Sequence, residues 1–179
     1  MVANNVSVLE GANGLRPGSV SSIDFRSAAG LFPSGVTVVT RLLEDDRPYG
    51  MTVSSFTSVS LEPPMILVCI DRNARFVKEV PPGMPFATNV LAQDQQALAE
   101  RFSNRYEEDR FSSLKWNPAW NGLPLLDGIV ASFTCSVSQA IDAGDHVILL
   151  GLVQEVAQHP GRALIWCERD YHCLPHRLS

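Results

Sequence analysis

Apolar and polar positions along the chain alternate with a period of two far more often than they recur at helical spacing. Val36 to Leu43 is rich in β-branched residues and reads as a strand, closed by the charged turn Glu44 to Pro48. Met51 to Ser60 places apolar residues at Met51, Val53, Phe56 and Val59. The alternation slips after Val53, which predicts a bulge or loop inside the strand. Glu62-Pro63-Pro64 breaks the chain. Met65 to Ile70 is a continuous apolar run, expected to be a fully buried strand. Asp71 to Pro85 is polar and proline-containing, a loop or short helix. Phe86 to Leu91 is another strand. Ile129 to Ser138 and His146 to Val156 form two more, turned by Ala143-Gly144-Asp145, and Leu164 to Cys167 is a short last one.

Helical spacing is confined to two segments. Ser21 and Asp24 resemble a capping box, which predicts a helix from about Ser22 to Leu31. That helix is expected to bury Ile23, Ala28 and Leu31, or Phe25, Ala29 and Phe32; Pro33 and Gly35 end it. Gln93 to Phe102 carries Leu98 and Phe102 four apart on one face. Asn104 to Asn121 is irregular. The total is about six or seven strands and two or three helices, without regular alternation, so a doubly wound parallel sheet is not expected. A closed or nearly closed antiparallel barrel with flanking helices fits: mainly β, with the helices outside. Residues Met1 to about Val20 have no periodicity and are expected to be a disordered or loosely packed tail. The expected organisation is therefore a tail over 1–20 and one domain over 21–179.

Bulk composition narrows the function classes. The 179 residues suit one domain. A net charge of −5 argues against general nucleic-acid binding, which needs a basic face, and leaves no polybasic handle for a membrane surface. No apolar run approaches the roughly 20 residues of a membrane span, and no secretory signal is evident. Cys69, Cys135, Cys167 and Cys173 match no zinc spacing and read as reduced thiols of a cytoplasmic protein. No His, Cys or carboxylate set has metal-ligand spacing, so no metal is expected. A nucleophile elbow, a P-loop and a dinucleotide-binding glycine turn are all missing.

Three features carry candidate chemistry. The hydroxyl-rich stretch Thr52, Ser54, Ser55, Thr57, Ser58 and Ser60 beside a bulge suits a phosphate or the polar edge of a heterocycle. Composition alone favours the plainer alternative of a solvent-facing strand. Arg72, Arg75 and Lys78 follow a strand and suit a phosphate, or are simply a solvated loop. His146 at a strand start suits ligand contact, although a lone His is more often structural.

The chain as a whole resembles the flavin reductases of two-component monooxygenase systems, especially the short FMN reductases of polyketide pathways. The resemblance rests on an ordered set of segments: Phe32-Pro33-Ser34-Gly35-Val36-Thr37-Val38-Val39-Thr40, Tyr49-Gly50-Met51-Thr52-Val53-Ser54-Ser55-Phe56-Thr57-Ser58-Val59-Ser60, Glu62-Pro63-Pro64 and Asn89-Val90-Leu91. Further on come Arg101-Phe102, Arg110-Phe111, Gly122-Leu123-Pro124-Leu125-Leu126-Asp127-Gly128 and Gly144-Asp145-His146-Val147-Ile148-Leu149-Leu150-Gly151.

The resemblance implies an FMN-binding split β-barrel that forms a homodimer with flavin near the subunit interface. It implies flavin binding at Thr52, Val53, Ser54, Ser55 and Phe56, at Asp71 and Arg72, and at Asn89, Leu91, Ala92 and Gln93. His146 matches the family's Gly-Asp-His motif, whose histidine lies near the nicotinamide. The family often carries Ser or Thr after Asp71; this chain has Asn73-Ala74-Arg75, so Arg75 is the candidate phosphate contact. The implied reaction passes a hydride from NADH or NADPH to FMN, or to FAD, for use by a partner monooxygenase. A flavin carrier without turnover and a flavin oxidase or oxygenase remain alternatives on the same fold.

Overall fold

The computed structural model describes residues 20–107 and 109–175. All but the last residue of the tail expected over 1–20 lies outside this range. The chain begins with α1 (Ser22–Ala29), β1 (Ser34–Gly35), β2 (Thr37–Leu42), β3 (Pro48–Val53), β4 (Thr57–Leu61) and β5 (Pro64–Asp71). A 3-10 turn over Arg75–Val77 leads to β6 (Pro85–Val90), α2 (Gln96–Ser103), β7 (Trp116–Pro118) and β8 (Pro124–Leu126). The long hairpin β9 (Ala131–Ala143) and β10 (His146–Gln158) and the short hairpin β11 (Leu164–Cys167) and β12 (Asp170–Cys173) complete it.

Seven strands form one antiparallel sheet in the order β3-β2-β6-β9-β10-β5-β4. The edge strands β3 and β4 are consecutive in sequence, with only Ser54-Ser55-Phe56 between them. A flat sheet of seven strands would hold its edges about 29 Å apart. Four chain steps from Val53 to Thr57 reach about 14 Å at most. The sheet must therefore curl until its edges nearly meet. No ladder joins β3 to β4 among the described residues, so the barrel is split at that seam.

Two cores flank the curled sheet. Inside lie Val39, Val53, Ile66, Val68, Ile70, Phe86, Cys135, Val137 and Leu149, with Phe76 from the 3-10 turn. Outside, Ala99 and Phe102 of α2 cover Val36, Val38, Leu91, Leu126, Ile129 and Leu164. Adjacent Val38 and Val39 thus serve opposite cores, which explains why every residue from Thr37 to Arg41 is buried. Gly151 allows the interior to close: a Cβ there would meet Phe86 Cζ at 2.6 Å and Cys135 Cβ at 3.1 Å.

Two sequence expectations need correction. Met65 to Ile70 is not buried throughout. Ile66, Val68 and Ile70 face the interior, whereas Met65, Leu67 and Cys69 lie half-buried on the outer face, which no helix covers fully. The helix starts as expected, with the Ser21 hydroxyl accepting from the Asp24 N–H at 3.0 Å. Among the described residues it buries nothing: Ile23 is 78% and Phe25 67% exposed, and Leu31 and Phe32 beyond its end are exposed as well.

Candidate functional site

The interruption after β3 leaves a short run of backbone outside both edge ladders. The Ser55 hydroxyl holds that run in place: it accepts from the Cys69 N–H at 2.8 Å and donates to the Cys69 carbonyl at 3.0 Å. The Phe56 ring packs against Phe133 at 5.2 Å between centroids. Val53 points into the interior core. The Thr52 hydroxyl donates to the Ala99 carbonyl of α2 at 2.7 Å. Among the described residues, no backbone carbonyl accepts from the N–H groups of Ser54, Ser55 or Phe56. Pinned, unclaimed amides form a small donor patch of the kind that takes an anion or the carbonyl edge of a heterocycle.

Two residues beyond Cys69, β5 ends at the start of β10. Asp71 pairs in register with His146. Asp71 Oδ1 accepts from both the Asn73 N–H at 2.8 Å and the Asn73 side-chain amide at 3.2 Å, turning the chain as it leaves the strand. The turn between β9 and β10 has two residues, and Gly144 takes φ +65 in the first position, where a type II′ hairpin turn demands glycine. This fixes His146 as the first residue of β10. Its Nδ1 lies 2.7 Å from Asp145 Oδ1, and its side chain is 46% exposed. The hydrogen bond from His146, then its charge, holds the Asp145 carboxyl below the usual carboxylate range. An ionised carboxylate only accepts, so Nδ1 carries the proton and Nε2 is left for a ligand.

The other expected residues are placed less uniformly. Asn89 is fully buried, and its side chain cross-links the outer core. Its Nδ2 donates to the Val38 carbonyl at 3.0 Å and to Thr40 Oγ1 at 3.2 Å, and its Oδ1 accepts from the Leu126 N–H at 2.9 Å. Leu91 is also fully buried, with its N–H on Val36 and its carbonyl on Leu164. Ala92 bridges Ala163, and exposed Gln93 donates its N–H to the Arg162 carbonyl. These residues lie on β6 and just beyond it, two strands from Val53 across the row Val53, Thr37 and Val90. Arg75 lies elsewhere. It lines a cavity of about 330 Å³ with Arg41, Glu44, Asp45, Lys78 and Glu79, beside the β2–β3 turn and so at the far end of β3 from Ser54.

The structure therefore ties Ser54 to Phe56 to β5 through Ser55 and Cys69 and places Asp71, Arg72 and His146 at the end of that strand, a seam along β5 distinct from the β3–β4 split; the side chains of Asn89, Leu91 and Arg75 lie apart from it. From sequence, Asp145 is only a turn and motif residue, without the role of orienting His146, and there is no sign of Asp142, which binds Arg72 at 2.9 Å. An acidic residue near the end of a strand, such as Asp142 in β9, gives no signal until the register is known. Among the described residues, no three His, Cys, Asp or Glu side chains are grouped to hold a metal.

Comparison with known proteins identifies the family. The family described as Flavin reductase like domain matches residues 29–175. The chain is 43% identical over 165 residues to a flavin reductase (NADH) of Kitasatospora aureofaciens, covering 90% of this chain and 86% of that one. It is 35% identical over 150 residues to HsaB, the reductase subunit of a flavin-dependent monooxygenase of Mycobacterium tuberculosis, covering 82% and 79%. Two relatives from Rhizobium meliloti are longer, and the chain spans 55% and 41% of their lengths. The solved structure of the Streptomyces globisporus C-1027 NADH:FAD oxidoreductase SgcE6, in complex with NAD and FAD fragments, superposes with a TM-score of 0.80 at 32% identity, over 88% of this chain and 94% of that one. On sequence and architecture alike, the chain belongs to the flavin reductase-like domain family.

Proposed function

We propose that this chain is an NADH-dependent flavin reductase that reduces FMN, or FAD, for a partner monooxygenase. The observation that carries the proposal is the seam itself: unclaimed amides at Ser54 to Phe56, pinned through Ser55 to the strand that ends beside His146. The donor set fits a flavin, whose pyrimidine edge presents acceptors. When bound, the flavin supplies the two-electron acceptor for the nicotinamide hydride.

The chain's own part is positioning and electrostatics. The Ser54 to Phe56 amides face the edge where negative charge grows on reduction, and such preorganised donors need no rearrangement when it does. His146, oriented by Asp145, directs Nε2 toward the nicotinamide carboxamide and acts as a hydrogen-bonding group, not as an acid or base. Holding the two rings in contact turns a bimolecular encounter into a local one.

The wider setting belongs to the same proposal. The partner oxygenase is supported by relatives that are reductase subunits of flavin-dependent monooxygenases. A homodimer is supported by the uncovered apolar side chains Ile23, Phe25, Leu31 and Phe32, and by Leu61, which is 93% exposed at the edge of the split sheet. A nicotinamide substrate and four free cysteines support a cytoplasmic setting. The single sheet running from β2 to β10 supports one domain over 21–179. The test is anaerobic mixing of the purified chain with FMN and NADH, following the flavin absorbance. Bleaching at a rate proportional to enzyme supports the proposal; no bleaching with either flavin refutes it. A His146→Ala variant with unchanged rate and NADH affinity would remove the role given to His146.

A further inference from the structure

Arg72 was expected to line the flavin, but three of its bonds go elsewhere. Its backbone N–H donates to the Asp145 carbonyl at 3.0 Å. Its Nε donates to the Gly144 carbonyl at 3.3 Å. Its Nη2 meets Asp142 Oδ1 at 2.9 Å. The first residue beyond β5 thus reaches across β10 to the end of β9 and grips three positions of one hairpin tip. His146 is the next residue of that tip.

The atoms involved matter. Nε and Nη2 form the side-on edge of a guanidinium, the fork that matches a carboxylate or phosphate with two parallel bonds. In Arg72 that edge is occupied by Gly144 and Asp142. A lysine in the same place would keep the charge and lose the fork. The tip needs the support: residues 138–146 are all exposed, and no core side chain anchors them. β10 pairs with β5 only up to Asp71, so the bonds from Arg72 are the continuation of that pairing past the end of the strand.

We propose that Arg72 is a positioning residue. It fixes the Asp142 to Asp145 tip, and through the tip His146, instead of binding the flavin phosphate. This rests on the reductase function proposed above for its kinetic consequence, but not for its structural one. The seam then runs from the Ser54 to Phe56 segment through the Ser55–Cys69 bonds, along the end of β5 to Arg72, and through its bonds to the tip that carries His146. The tip presents His146 to the nicotinamide, so loosening it raises KM for NADH and leaves flavin affinity intact.

The test compares Arg72→Ala, Asp142→Ala and the double variant in three measurements: FMN affinity by fluorescence quenching, KM and kcat for NADH, and amide hydrogen exchange over residues 141–147. The exposed pair is worth about a threefold rise in KM for NADH in Asp142→Ala, and about tenfold in Arg72→Ala, which also loses the Gly144 bond. The double variant should be no worse than Arg72→Ala, because both changes remove the same contact. Exchange at the tip should quicken in all three. FMN binding weakened by Arg72→Ala but not by Asp142→Ala would overturn the proposal in favour of a phosphate contact. Unchanged exchange at the tip, or an unchanged KM for NADH in an active enzyme, would also overturn it. If the unmodified chain oxidises no NADH, the reductase function fails, and the exchange data alone still decide whether Arg72 holds the tip.

Discussion

The hydroxyl of Ser55 satisfies both backbone groups of Cys69, accepting its N–H at 2.8 Å and donating to its carbonyl at 3.0 Å. One side chain thereby adds a rung to the β4–β5 pairing beyond Thr57 and Leu67. Ser55→Ala leaves a half-buried N–H and carbonyl unpaired, at a cost of about 1–2 kcal/mol in urea unfolding. It also frees the 54–56 segment, so flavin affinity should fall with stability. Ser54→Ala, at an exposed position, should leave stability within about 0.5 kcal/mol of the parent. Equal stability of the Ser55 and Ser54 variants would show that the rung is not needed.

Gly151 sits where the interior is tightest, with Phe86 Cζ 2.6 Å from the position of a Cβ. Phe86 is fully buried and cannot swing away. Gly151→Ala should therefore destabilise by about 1–3 kcal/mol, as overpacking of a filled core does. Thermal unfolding with the oligomeric state held constant reads this directly.

Burial separates the thiols. It pushes Cys135 from 9.0 up to about 12, while Cys173 is exposed. Near pH 8 an alkylating reagent should label Cys173 readily and reach Cys135 only on unfolding, since the thiolate is the reactive form. The same shift has a sign for stability. Below about pH 9 the thiol is neutral in both states and has no pH-dependent effect. Above it the unfolded chain ionises and the fold cannot, so stability falls as pH rises from about 9 towards about 12. Native labelling of Cys135 at the rate of Cys173 would contradict this burial.

The uncovered apolar residues near α1 make the oligomeric state a test of the proposed interface. Sedimentation velocity of the full chain should give a dimer. Phe25→Ser with Leu31→Ser, exposed positions that contribute nothing to the core of a single chain, should shift it towards monomer without loss of secondary structure. A monomeric parent would remove the homodimer from the account.

The break in the barrel was legible from sequence because Met51, Val53 and Phe56 fall out of step, and a period of two tolerates no silent insertion. The β9–β10 turn was legible from Gly144, though β9 extends beyond Ser138 to Ala143: its exposed end pairs with the apolar start of β10. Leu164–Cys167 is a strand as expected, but its partner β12 alternates over only four residues, Asp170 to Cys173, too short a run to reveal it. Asn89 shows the limit most clearly. The family resemblance implies it as a flavin contact, and only the fold shows its side-chain amide bonded to Val38, Thr40 and Leu126. Arg72 is similar, because its partners Asp142 and Gly144 are distant in sequence and meet it only through the β5–β10 register.

The central claim is that the seam from Ser54 to His146 brings a flavin and a reduced nicotinamide together. Steady-state NADH consumption by the purified chain, with FMN, FAD or no added flavin, tests it most directly. The account predicts saturable NADH oxidation that depends on added flavin. A chain that binds flavin yet oxidises neither NADH nor NADPH at any flavin concentration would contradict it.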